Sequence, residues 1–273
     1  MRYLGVSRAE LYSPGRVSGD AAVFRAVAVE LERQGNSVIC MPETDLVAKG
    51  IPAGVDGIFQ MARSRKALAV LKQAEVPVTN SVQAVLNCSR AAQTALLQGT
   101  GLIPDSMICS TDCVPEGWRH FPCWIKRADC HALEQDDVQL VQNVSECLTA
   151  MRGFSERGLG ECVLQAHAKG RLVKFYGVKG YGIVDCYAAT AKDGKFGLER
   201  YNDQPEYGSV DMELLNDAAD RASALLGVEV YGGDAVVGEG GDITIIDFND
   251  WPSFRTCTVG AAQKIADLIM GKK

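Results

Sequence analysis

Apolar positions fall into two regimes along this chain of 273 residues. Up to residue 80, short runs dense in Val, Ile, Leu and Phe alternate with stretches whose apolar residues recur every three or four positions. The runs at 3–6, 37–41, 57–61 and 76–79 read as strands, and the helical periods at 21–31 and 64–74 lie between them, the first stopped by Gly35. This alternation predicts a small α/β unit with a parallel sheet. Beyond residue 80, helices are expected over 89–98, 136–152, 212–226 and 261–270, and strands over 106–109, 122–126, 162–166 and 172–178. That part reads as α+β.

Two further runs, Val-Tyr-Gly-Gly-Asp-Ala-Val-Val at 230–237 and Ile-Thr-Ile-Ile-Asp-Phe-Asn-Asp at 243–250, flank the turn signal Gly238-Glu239-Gly240-Gly241-Asp242 and read as a hairpin. Strand side chains alternate faces, so Asp247 and Asn249 share one face and the partner strand can bring Asp234 onto it. Two carboxylates and an amide on otherwise apolar strands call for a compensating cation, and Mg²⁺ is the usual partner of few carboxylates plus phosphate oxygens. The plainer alternative is that Asn249-Asp250 before Trp251-Pro252 simply ends a strand.

Composition narrows the field. A formal net charge of −6 argues against a nucleic-acid-binding surface. No apolar run approaches the roughly 18 residues of a membrane span, and the N-terminus carries no signal-peptide core, so a cytoplasmic protein is expected. The ten cysteines include no Cys-x-x-Cys pair and read as small buried hydrophobes in a reducing compartment. A zinc site from Cys109, Cys113, Cys123, Cys130 and His131 would need irregular spacing. With three histidines and no Gly-x-Ser-x-Gly elbow, a histidine-centred hydrolase has little support. Gly-x-x-x-x-Gly-Lys-Ser/Thr and Gly-x-Gly-x-x-Gly are both missing, so a nucleotide would be held by side chains such as Arg90, Lys126 and Lys174. Lys126 ends an apolar strand and so projects from a rigid element. Arg8, Arg16, Arg63 and Arg65 follow strands of the first unit, where they form either a pocket for an anion or a solvated surface.

The order of these parts resembles the ATP-grasp superfamily across essentially the whole chain. The matching segments are Asn87-Cys88-Ser89-Arg90 with Gly101-Leu102-Ile103-Pro104, Trp124-Ile125-Lys126-Arg127, Val163-Leu164-Gln165-Ala166-His167, and Gly233-Asp234 followed by Ile246-Asp247-Phe248-Asn249. The resemblance implies an ATP-grasp fold over residues 86–273, in two subdomains with a hinge near 165–170, preceded by a small parallel α/β domain at 1–85. It implies that Arg90 and Lys126 contact the phosphates of ATP and that the backbone of Gln165, Ala166, His167 and Ala168 bonds adenine. Asp234, Asp247 and Asn249 would hold one or two Mg²⁺, with Mn²⁺ as a substitute, and Lys174 and Arg255 would hold an acyl phosphate or the acceptor. The implied activity is a ligase joining a small-molecule carboxylate to an amine through an acyl phosphate. Its substrate would be an anionic small molecule, with no nucleic-acid or membrane partner, and a homodimer is compatible with it. The stretch from Gln165 to Tyr176 and the segment after Asp247 are also similar to the inositol-phosphate kinase and glutamate-adding branches, so a kinase is the alternative. A non-catalytic nucleotide binder is a third reading. The chain departs from the family pattern at Ser89-Arg90 (usually Asp-Lys), at Gln165 (often Glu), at Ser253 (typically Gly), and in the glycine-free loop 128–134 that carries His131.

Overall fold

The computed structural model describes residues 1–13, 15–189, 197–202 and 209–271. The first sheet is parallel, in the order β2-β1-β3-β4, from β1 (Arg2–Ser7), β2 (Ser37–Pro42), β3 (Gly57–Gln60) and β4 (Val78–Thr79). Three helices connect these strands: α1 (Val17–Arg33), α2 (Glu43–Lys49) and α3 (Arg65–Leu71). α1 buries Val23, Phe24, Val27 and Leu31, a stripe at helical spacing. Gly5 lets β1 lie against the ring of Phe59, since a Cβ there would stand 2.5 Å from Phe59 Cζ.

Two antiparallel sheets follow. The second, ordered β5-β8-β6-β7, contains β5 (Ser106–Ser110), β6 (Cys123–Arg127), β7 (Val138–Val141) and β8 (Glu161–Ala166). It is entered through α4 (Val82–Asn87) and α5 (Arg90–Leu97), and α6 (Val144–Glu156) packs on it. The third sheet, ordered β10-β9-β11-β12, contains β9 (Arg171–Val178), β10 (Gly182–Ala188), β11 (Val230–Val237) and β12 (Ile243–Asp250), with α7 (Met212–Leu226) leading into the β11–β12 hairpin. The last helix, α8 (Thr258–Ile269), shares one core with α1: Val23, Phe24 and Val27 pack with Ala261, Ile265, Trp251 and Phe254. That core joins the first sheet to the third.

The structure corrects the helix expected over 136–152. Residues 135–137 form a 3-10 turn, 138–141 are β7, and the helix begins at 144. Val138 and Val141 are buried in the sheet, while Asn143 caps the helix by accepting the Glu146 N–H at 3.0 Å. Strand β10 was not anticipated because it lies at a sheet edge and is half-buried throughout, without an alternating apolar pattern. No helix among the described residues is long and apolar enough to cross a membrane.

Candidate functional site

One face of the third sheet carries a row of functional side chains set by strand register. Tyr187 pairs with Lys174, Lys174 with Asp234, and Asp234 with Asp247, so the four side chains cross β10, β9, β11 and β12 in line. A bulge after Asp234 shifts the register by one residue. Two residues farther along lie Tyr176 and Asn249, on either side of Gly232. A Cβ on Gly232 would stand 2.8 Å from Pro252 Cγ and 2.9 Å from Tyr176 Cδ1, so only glycine lets that ring and the following turn close in. In the other direction the face becomes apolar, where Leu172 packs with Val236 and Ile246. The row opens into a cavity of about 360 Å³.

Ion pairs hold the charged groups of this corner. Lys174 Nζ lies 3.0 Å from both carboxylate oxygens of Asp234. Asn249 Nδ2 donates to Asp247 Oδ2 at 2.8 Å, and Arg90 Nη2 stands 3.9 Å from Asp247 Oδ1. Burial pushes the Asp247 carboxyl up, but Arg90, Lys126 and the Asn249 hydrogen bond outweigh it and leave the pKa below the ordinary carboxylate value. Lys126, at the end of β6, donates from Nζ to Gln165 Oε1 at 2.7 Å and to the Ile246 carbonyl at 2.9 Å, which ties the second sheet to the third. Burial, reinforced by Arg90, lowers the Lys126 pKa to about 7. Arg90 is the first residue of α5, behind the Ser89 cap. Its Nη1 bonds the Cys130 carbonyl at 3.2 Å, and its buried Nε has no hydrogen-bond partner among the described residues.

This donor set suits Mg²⁺. Among the described residues no three His, Cys, Asp or Glu side chains gather as a metal site, so the set is two carboxylates completed by the Asn249 amide, all hard oxygen donors. The Lys174 ammonium on Asp234 already occupies a cation's place there, and the Arg90 guanidinium beside Asp247 fits an anion brought by that cation. The five groups of the irregular Cys/His set do not gather: Cys109 lies on β5, Cys123 on β6, and Cys113 is exposed.

The opposite wall comes from the first sheet and the turn after β12. Arg8 pairs with Asp20 at 3.0 Å and donates to the carbonyls of Met61 and Trp251 at 3.2 and 3.3 Å, while Ser13 Oγ donates to Asp20 at 2.6 Å. Arg63 grips the buried Asp250 at 2.8 Å. Glu43 joins the loops after β1 and β3 by accepting the backbone N–H groups of Ala9, Arg63 and Ser64 at 2.8, 3.2 and 2.8 Å. Arg16 also lines the cavity, whereas Arg65 is exposed at the start of α3. Trp251 and Phe254, both fully buried, adopt φ of 41° and 44°, a left-handed conformation unusual for aromatic residues. Each costs about 1–3 kcal/mol, which packing against Phe59 and Tyr176 sustains. The turn they fix presents Ser253 and Arg255 to the cavity. Arg255 lies 5.8 Å from the centre of the Tyr187 ring, and the hydroxyls of Tyr187 and Tyr176 are 3.3 Å apart.

Most of the residues singled out in the sequence meet here: Arg90, Lys126, Lys174, Asp234, Asp247, Asn249 and Arg255 all line the cavity. The 165–168 segment does not. Gln165 faces a small space of about 20 Å³ behind Lys126. Ala166, His167 and Ala168 are outside the cavity lining; the Ala166 and His167 N–H groups donate to the Asp105 and Pro122 carbonyls at 2.8 and 3.4 Å, and the Ala168 carbonyl accepts from Asn202 at 2.7 Å. The apolar end is walled instead by Trp124, Val138, Leu172 and Leu198. Tyr187, Asp20 and Asn202 were missed. The Gly180-Tyr181-Gly182 turn followed by Ile-Val was the available signal for the strand that carries Tyr187.

No protein-family model matches the chain, and no curated protein does. Solved structures match it closely in fold. D-alanine–D-alanine ligase from Bacillus anthracis, complexed with ATP, superimposes with a TM-score of 0.72 at 14% identity, over 99% of this chain and 96% of that one. A RimK domain ATP-grasp protein from Sphaerobacter thermophilus gives 0.68 at 17% identity, over 99% and 100%. D-alanine–D-alanine ligase from Coxiella burnetii gives 0.70 at 11% identity, over 100% and 96%. The chain has the ATP-grasp fold.

Proposed function

We propose that the cleft binds ATP with Mg²⁺ and uses it to activate a carboxylate, which an amine then captures as an amide. The observation that carries this reading is the sheet register that sets Asp234, Asp247 and Asn249 on one face, against Arg90, Lys126 and Lys174. The fold shared with an ATP-complexed ligase over nearly the whole chain supports it. Asp234, Asp247 and Asn249 would hold the ion, which when bound supplies charge neutralisation on the phosphates. The chain's own cations do the rest. Lys126 uses two of its three protons on Gln165 and Ile246, leaving one for a phosphate oxygen, and the Arg90 guanidinium adds a second positive charge at the cavity wall. In the reaction a substrate carboxylate oxygen attacks the γ-phosphorus as the bond to the bridging oxygen breaks and ADP leaves. The amine nitrogen then attacks the acyl carbon, phosphate departs with the C–O electron pair, and the amine gives up a proton.

In this reading residues 1–85 and the turn after β12 receive the acceptor, and residues 86–273 hold the nucleotide in two subdomains with the hinge near 165–170. Arg16, Arg255 and Ser253 beside Tyr176 and Tyr187 favour a small anionic molecule with a flat or apolar flank. The ten free cysteines suit the reducing cytoplasm. Incubation with ATP, Mg²⁺ and a metabolite extract, read by mass spectrometry, tests the reading. A new amide formed with ADP and free phosphate is expected. A phosphorylated alcohol without free phosphate would make the protein a kinase, and no nucleotide consumption would reduce it to a binder.

A further inference from the structure

The loop between β6 and β7, residues 128–137, borders the phosphate side of the cleft and contains no glycine. It is tied down from three elements. The Asp137 carboxylate, with no exposed side-chain surface, accepts the Leu133 and Glu134 N–H groups at 2.8 and 3.0 Å and Arg127 Nη1 at 3.0 Å on one oxygen, and Arg157 Nη1 at 2.8 Å on the other. Despite burial, those bonds bring its pKa to about 2. Arg127, on β6, also holds both oxygens of Asp129, at 2.7 and 2.9 Å, and Arg157, capping α6, reaches Glu134 at 3.2 Å. From α5, Arg90 bonds the Cys130 carbonyl and the Ala91 N–H bonds the Ala128 carbonyl at 2.9 Å. What emerges into the cavity from this framework is His131 with Ala132. Burial, together with Arg63 and Arg8, lowers the imidazole pKa to about 4, so the ring is uncharged near neutral pH.

We propose that Asp137 is a positioning residue that latches this loop in place before any ligand binds, and that the latched loop presents His131 as a hydrogen-bonding contact for an anion held beside Arg90. The latch stands on the described bonds alone; the identity of the anion as a nucleotide phosphate rests on the function proposed above. A loop already fixed by four bonds to one carboxylate loses little further freedom when ligand arrives, so its contact is made at low entropic cost.

Amide hydrogen exchange on the full chain, with the non-hydrolysable nucleotide AMPPNP and Mg²⁺ as probe, tests both halves. Without nucleotide, the Leu133 and Glu134 amides are expected to exchange at least tenfold more slowly in the wild type than in Asp137→Ala. Arg157→Gln, at a half-exposed position, should fall between and covers the case in which the first variant does not fold. Dissociation of AMPPNP should be about tenfold faster in Asp137→Ala, as expected for a loss of about 1.4 kcal/mol. His131→Ala should weaken AMPPNP binding about tenfold with the exchange pattern unchanged, and His131→Gln, which keeps a donor, should restore most of it. Unprotected Leu133 and Glu134 amides in the nucleotide-free wild type, or protection insensitive to Arg157→Gln, would overturn the latch. Wild-type AMPPNP affinity in His131→Ala would overturn the contact. If the wild type bound no AMPPNP, the proposed function and the His131 contact would fall together, while the exchange result would still decide the latch.

Discussion

At the β12 end of the cleft, Arg90, Lys126 and Lys174 face Asp234 and Asp247 from strand positions and a helix start. At the N-terminal end, Arg8 and Arg63 are each locked onto a mostly buried acid, Asp20 and Asp250, with backbone carbonyls taking further donors. The first region keeps more positive than negative groups around the cavity. The second is internally balanced. A cation already matched by a buried carboxylate acts as framework, because separating the pair strands a desolvated charge. A cation in surplus has binding capacity to offer. The same residue type therefore does different work at the two ends, and its partners distinguish the roles better than its position in the sequence.

Substitutions should separate the two regions. The largest expected effect is functional: Asp247→Asn should cut Mg²⁺-dependent ATP turnover by about a hundred- to a thousandfold, with the thermal midpoint only slightly lowered, because the ionised carboxylate is the form that Arg90 and Lys126 favour in the fold. Steady-state turnover and a melting curve on one preparation check both. Next comes stability at the other end. Asp250→Ala leaves Arg63 buried without its carboxylate and should cost about 3–5 kcal/mol in urea unfolding. Loss of turnover in Asp250→Ala with no loss of stability would erase the distinction between the regions.

Lys126 gives a pH-dependent test. Its folded pKa, near 7, lies below the ordinary 10.5, so between those values the unfolded chain holds the extra proton and folding is favoured as pH rises. The stability of the wild type relative to Lys126→Met should therefore increase from pH 7 toward pH 10. Affinity for Mg²⁺-ATP should run the other way and weaken above pH 7, because the protonated ammonium is the form that grips phosphate. Calorimetry in buffers of different ionisation enthalpy should show uptake of most of one proton per nucleotide at pH 8, roughly 0.9 for a group of pKa 7. The smallest effect is expected at Arg255. Arg255→Gln should raise the acceptor KM several-fold and leave nucleotide affinity unchanged, since this side chain lies over Tyr187, at the end of the row farthest from Asp247.

How much of this was legible in the sequence depended on whether local pattern or long-range pairing decides a residue's place. The β11–β12 hairpin could be read because period-two alternation and a glycine turn fix which side chains share a face, and Asp247 and Asn249 follow from that. Lys126 and Arg90 were legible as a strand end and a capped helix start. Asp20 and Asp250 gave no sign that they would hold Arg8 and Arg63, because those pairs span 12 and 187 residues: the first arises when α1 folds back on the loop after β1, the second only when the first and third sheets meet. Tyr187 was hidden on an edge strand without an alternating pattern. Residues 138–141 read as helix because Val138 and Val141 are three apart, as on one helix face, whereas the helix itself starts only at the Asn143 cap, whose side chain accepts the Glu146 N–H. The hinge segment came from resemblance alone, and in this chain its backbone is engaged by Asp105, Pro122 and Asn202.

Trapping the activated acid tests the central claim most directly. The protein is incubated with ATP, Mg²⁺, a pool of small carboxylic acids and hydroxylamine in place of the amine. Hydroxamate formation, with ADP and free phosphate released in equal amounts and both lost in Asp247→Asn, is the result expected of a carboxylate-activating site. A stable phosphorylated alcohol, with no hydroxamate and no free phosphate, would contradict it.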